Sequence, residues 1–162
     1  VLSVSAFDSY FTDKFLEILV PFLKENGPTD GMVEILSEAG LDTKMALELI
    51  TMERPFRRIR TLVDRSMSSH TTQRTDVIDK LFKSIGISEF SKNAQKIVNR
   101  NNLKTRIQVL VKRRNEIAHD GDLNTHGNTR KVDARKVISQ IQDIELFVTG
   151  AEKLIKSRMK KK

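Results

Sequence analysis

The stretch LKTRIQVLVKRRNEIAH, residues 103–119, carries the strongest fold signal in the chain. At about 100° per residue, Leu103, Ile107, Leu110, Arg114 and Ile117 fall within one stripe about 80° wide, the apolar spacing of a helix packed on a core. Arg114 sits near the middle of that stripe. An unpaired buried guanidinium is costly, so it needs a carboxylate, a carbonyl or a bound anion, or must snorkel to water along its aliphatic stem. An internal ion pair and an anion site both remain open for it.

The neighbouring face is polar. Asn115 and His119 lie four residues apart on it, and Lys104, Gln108 and Lys112 lead up to the histidine, with Arg113 alongside. These four are the candidate nucleic-acid-binding residues, because such a row of cations and hydrogen-bonding groups can track a phosphate chain. Imidazole exchanges protons near neutral pH, and a guanidinium stabilises a phosphorane-like oxyanion through paired hydrogen bonds. Arg114, Asn115 and His119 are therefore the candidate catalytic residues. One difficulty is geometric: Arg114 and His119 are separated by roughly 140° on an ideal helix. Either the helix unwinds near Ala118, ahead of Asp120 and Gly121, or two chains pack these helices into one composite cleft.

Outward from this segment, the chain continues to read as helices. The polar loop DGDLNTHGNTRK follows, and a long closing helix, roughly Asp133 to Lys156, places Val137, Ile141, Ile144, Val148, Ala151 and Ile155 in a seam that faces the core or a second subunit. Upstream, a helix from about Ser5 to Lys24 carries Phe7, Phe11, Phe15, Ile18 and Phe22 at helical spacing, with Pro21 expected to kink it or end it early. Met32–Ala39 follows, capped by Gly40. A helix capped by Asp42 or Thr43 contains Met45, Leu49 and Met52 and is expected to stop or kink near Pro55. Phe56 to Met67 comes next, with Ile59 and Val63 inward. SSHTTQRTD reads as a loop, Asp76–Ile85 as a helix ended by Gly86, and the segment after Ser88 as a helix to about Asn99. Strand-like alternation is scarce, so the expected class is all-α, one domain over residues 1–162 with a basic tail at 157–162.

Composition narrows the chemistry. The chain has no cysteine, which removes disulfides and thiolate zinc sites and fits a cytoplasmic location. No apolar run is long enough to span a bilayer. The first residue is Val rather than Met, so the chain is expected to be a piece of a larger protein with additional domains. A net charge of +8 favours polyanionic partners. No metal is expected: Asp120 and Asp122 read as turn formers, while His70 and His126 read as solvated loop residues. Glu116 is expected to pair with Lys112 one turn earlier.

The string Arg114-Asn115-Glu116-Ile117-Ala118-His119 resembles the Arg-x4–6-His signature of HEPN domains, including the Asn directly after the Arg, and is similar to that of their RiboL-PSP subgroup. The resemblance implies a HEPN-like helical bundle with a long C-terminal helix and the motif at the end of the penultimate long helix. It also implies a metal-independent endoribonuclease that needs no cofactor, dimerises through the motif helix, and serves as a toxin or antiviral-defence effector, with an antitoxin as a further partner. In that mechanism His119 is the general acid or base for attack of the ribose 2′-OH on the adjacent phosphorus, Arg114 stabilises the phosphate charge, and Asn115 orients His119 or the phosphate. The products are a 2′,3′-cyclic phosphate and a 5′-OH. HEPN domains also occur as non-catalytic helpers that bind a nucleotide or a partner such as a nucleotidyltransferase. A third reading, from charge alone, is a helical nucleic-acid adaptor.

Overall fold

The computed structural model describes residues 2–69, 74–121, 123 and 126–159, apart from the side chains of Ser69 and Asp120. The described residues form eight helices in chain order: α1 (Leu2–Asn26), α2 (Asp30–Glu38), α3 (Thr43–Thr51), α4 (Pro55–Ser69), α5 (Thr75–Ser84), α6 (Phe90–Ile97), α7 (Leu103–Asp120) and α8 (Ala134–Met159). The protein is an all-α bundle closed by its longest helix, and the motif ends the helix before it. Among the described residues, extended pairing is limited to one antiparallel bridge, Leu123 with Thr129, in the α7–α8 loop.

Local chemistry explains the boundaries. Thr29 caps α2 by accepting from the Met32 N–H at 3.1 Å, and Asp42 caps α3 by accepting from the Met45 N–H at 2.7 Å. Gly40, at φ +93°, closes α2: its N–H donates to Ser37 O and the Leu41 N–H to Leu36 O, satisfying carbonyls the helix end leaves open. Gly86 does the same for α5.

α1 runs through Pro21 without a break, against the expectation of a kink or an early end. Pro21 and Glu17 are both exposed, so water can reach the carbonyl that lacks its helical donor, while buried Leu19 and Leu23 anchor the chain on either side. α8 continues to Met159, so the start of the expected basic tail is helical; Lys160–Lys162 lie outside the described residues.

An aromatic cluster contributed by four helices fills the core. Phe11 is fully buried and meets the rings of Phe7, Phe90 and Phe147 at centroid distances of 4.8, 6.0 and 5.7 Å, while Phe82 stacks on Phe90 at 3.9 Å. The seam expected on α8 meets the core only in its C-terminal half. Ile144, Phe147, Ala151, Leu154 and Ile155 are buried, whereas Val137 and Ile141 are 40% and 39% exposed, because the first turns of α8 project past the bundle. Met52, expected within the third helix, lies just beyond its end as the C-cap and is exposed.

Gly150 lets α8 lie directly on α6. A Cβ there would overlap the Ala94 carbonyl and crowd Val98 Cγ1 at 3.3 Å. Because the obstacle is backbone, Gly150→Ala forces the two helices apart. The expected loss is about 1–3 kcal/mol, read as a lower urea midpoint with an unchanged slope.

Buried Asp143 on α8 sets the azimuth of α7. It accepts from Arg106 Nε at 2.6 Å, faces Arg100 at 3.9 Å, and Arg106 also donates to Ser139 Oγ at 3.0 Å. One partner comes from α7 itself and the other from the turn before it, so rotation of α7 would strand a buried carboxylate.

Candidate active site

The fold turns the polar face of α7 toward the start of α5. The core row on α7 is Leu103, Ile107 and Val111, all buried. Arg114 keeps roughly the azimuth of that row but lies one turn beyond it, where α7 outruns the core; Leu110, Arg114 and Ile117 are therefore only half-buried. That is how an arginine is tolerated in an apolar stripe. Its Nη1 donates to Asn115 Oδ1 at 3.1 Å, its Nε is shielded from solvent with no acceptor, and among the described residues it pairs with no carboxylate. The internal salt bridge left open by the sequence does not form among the described residues.

On the next face, Gln108, Val111, Lys112, Asn115, Glu116 and His119 line a cleft of about 500 Å³, with Arg74 and Asp76 of the α5 start on the far side. Gln108 Nε2 donates to Thr75 Oγ1 at 3.0 Å and holds the two elements together. His119 is exposed at the cleft end, without a partner among the described residues, as is the Lys112 ammonium. Asn115 lines the cleft and also holds Arg114, so it connects the two sides of the helix.

Both carboxylates in the cleft are held by arginines. Arg74 grips Asp76 through two bonds, Nη2 to Oδ2 at 2.7 Å and Nε to Oδ1 at 3.1 Å, and this hydrogen bonding holds the Asp76 carboxyl below the usual range. Glu116 accepts from Arg130 of the α7–α8 loop at 2.9 Å and faces Arg113 at 3.7 Å. This corrects the expected Glu116–Lys112 pair: the loop folds back and Arg130 reaches the carboxylate, leaving Lys112 to the cleft.

The candidate RNA-binding residues divide. Lys112 and Gln108 line the cleft, Arg113 leans toward Glu116, and Lys104 is committed to Asp79 at 2.8 Å. Arg74, Asp76 and Arg130 join the site from outside α7, so no spacing within one helix reveals them; only the placement of Asp76 in the first turn of a helix was visible in the sequence. His126 is exposed, whereas His70 and Asp122 lie outside the described residues.

α7 stays helical through Asp120 and ends at Gly121, at φ +66°. Of the two alternatives, unwinding near Ala118 does not occur, so Arg114 and His119 diverge within one chain. Among the described residues there is no cluster of three metal-ligating side chains, and no helix is long and apolar enough to cross a membrane.

A family model described as RiboL-PSP-HEPN matches residues 53–157, which takes in α4 to α7 and nearly all of α8. No curated protein and no solved structure matches the chain.

Proposed function

This chain belongs to the RiboL-PSP-HEPN family, and from that premise we propose that it is a metal-independent endoribonuclease acting on single-stranded RNA. The observation that carries the reading is the end of α7, where an exposed His119, unpartnered among the described residues, shares a cleft with Asn115 and Lys112, and Asn115 holds an arginine that no carboxylate of the described residues neutralises. A phosphodiester held between this cleft and the Arg114 of a second copy would supply the anion that guanidinium lacks.

The step is a transesterification. The ribose 2′ oxygen bonds to the adjacent phosphorus, its proton leaves to a base, the bond to the 5′ oxygen breaks, and that oxygen takes up a proton. His119 serves as base or acid, the two roles an imidazole fills near neutral pH. Arg114 stabilises the charge on the non-bridging phosphate oxygens, and Lys112 adds a cation to the approach. Because Arg114 faces away from the cleft within one chain, the account requires a second copy packed along α7 to bring a guanidinium to the imidazole. Exposed Val109 on α7 and Val137, Ile138 and Ile141 on α8 give that side an apolar surface for such packing.

The same divergence also favours a second reading, a non-catalytic HEPN module in which Arg114 binds a nucleotide phosphate or a partner protein. One assay separates them: purified protein with end-labelled single-stranded RNA in excess chelator. The nuclease yields fragments with 2′,3′-cyclic phosphate and 5′-OH ends; the helper leaves the RNA intact.

A further inference from the structure

Elsewhere on the surface, α4 carries an unusual concentration of charge. Arg54, Arg57, Arg58, Arg60 and Arg65 crowd into twelve residues, and no lysine occurs from Met45 to Asp79. Within α4, Arg57, Arg58, Arg60 and Arg65 fan over roughly 160° of the helix opposite the face that buries Leu62, Val63 and Met67. Basic residues elsewhere, such as Arg74, Lys80, Lys92, Lys104 and Arg106, hold carboxylates. Arg54 and the four α4 arginines form no ion pair among the described residues, although Glu53 and Asp64 are close in sequence. Arg58 is half-buried, and its Nε is shielded from solvent without an acceptor.

We propose that the outward face of α4 is a second contact surface for single-stranded RNA, a guanidinium track that leads the strand to the α5–α7 cleft. Three observations select RNA over an acidic protein. The exposed positions are Arg57, Arg60, Asp64, Arg65 and Ser68, with no large exposed apolar residue on α4, whereas a protein interface needs an apolar centre. The cations are all arginine, whose planar fork grips phosphate oxygens in pairs and stacks on bases. The track also ends a short length of chain from the site: Arg65 is one turn from the end of α4, and five residues beyond Ser69 is Arg74, on the cleft wall. Covalent geometry limits the Arg65–Arg74 separation to about 24 Å, a span of a few nucleotides. The track therefore binds backbone, without base preference, and raises affinity for RNA long enough to occupy both surfaces.

The ligand is taken from the ribonuclease reading above, so the test measures binding separately from cutting. A triple variant, Arg57→Gln, Arg60→Gln and Arg65→Gln, alters three exposed side chains and is expected to unfold at the parental temperature. In the His119→Ala background, anisotropy with a fluorescent thirty-nucleotide RNA is read at several salt concentrations. The expected result is affinity at least tenfold weaker and a log–log salt slope shallower by about 2, since each lost phosphate contact removes about 0.7 for a single strand. Affinity for a dinucleotide, too short to reach α4, stays unchanged. Unaltered thirty-nucleotide affinity and slope overturn the proposal. So does tighter binding of a poly-glutamate peptide than of RNA of equal charge, with the same three arginines required, because the patch is then an acidic-protein dock. If the unmutated His119 protein never cuts RNA but the triple variant still loses RNA affinity, the nuclease reading fails and the α4 surface stands.

Discussion

Replacing His119 or Arg114 with Ala is expected to remove nearly all RNA cleavage while leaving the fold intact. His119 is exposed and makes no hydrogen bond or ion pair among the described residues, so its loss costs little packing; the effect falls on proton transfer, which a positioned imidazole accelerates by about 10²–10⁴. Arg114 should cost about 10²–10³, the range for removing one donor to a developing oxyanion. Arg114→Ala also frees Asn115 Oδ1, and Asn115→Ala should lower the rate less than either change, because it loosens the guanidinium without removing it. Cleavage rates under excess chelator, with thermal unfolding measured alongside, check this. Variants that cut as fast as the parent would point to a contaminating nuclease.

The second large effect concerns stability. Phe11→Ala should destabilise the protein by about 3–5 kcal/mol, the cost of emptying an aromatic position in a close-packed core. Phe11 is fully buried and meets the rings of Phe7, Tyr10, Phe82, Phe90 and Phe147 at centroid distances between 4.8 and 6.2 Å, so no single neighbour can move to fill the space. At this chain length the midpoint of thermal unfolding should fall by on the order of 10 °C. A fall within a degree or two would mean that the cluster re-packs around the cavity. Phe56→Ala makes a useful contrast: it is only half-buried, with Lys24 over its ring at 5.1 Å, and should cost much less.

Local features of this fold were legible in the sequence because they depend on near neighbours. Gly40 and Gly86 end helices where a left-handed residue is needed, Asp42 caps the next helix, and the Phe7–Phe11–Phe15 spacing marks the buried side of α1. What depends on distant contacts was not legible. Pro21 implies a kink or an early end by sequence alone, because the pattern along α1 does not reveal that the carbonyl it leaves without a donor faces water. The stripe on α7 showed which way Arg114 points, yet not that the core stops at Val111 and leaves the guanidinium beyond it. In the site, Asn115, His119 and Lys112 share a face by spacing alone, whereas Arg74 and Asp76 reach the cleft only through α5 packing, and Arg130 through the fold of the last loop.

Cleavage has one spatial requirement: a guanidinium and an imidazole that diverge on a single α7 meet on one phosphodiester when two chains pack together. Mixing the inactive Arg114→Ala and His119→Ala proteins, after partial unfolding to exchange subunits, tests this directly, because a heterodimer combines the intact arginine of one chain with the intact histidine of the other. Cutting that reappears in the mixture, in proportion to the heterodimer seen by native mass spectrometry, is the predicted result. A mixture that contains heterodimer yet remains as inactive as either variant alone would contradict it.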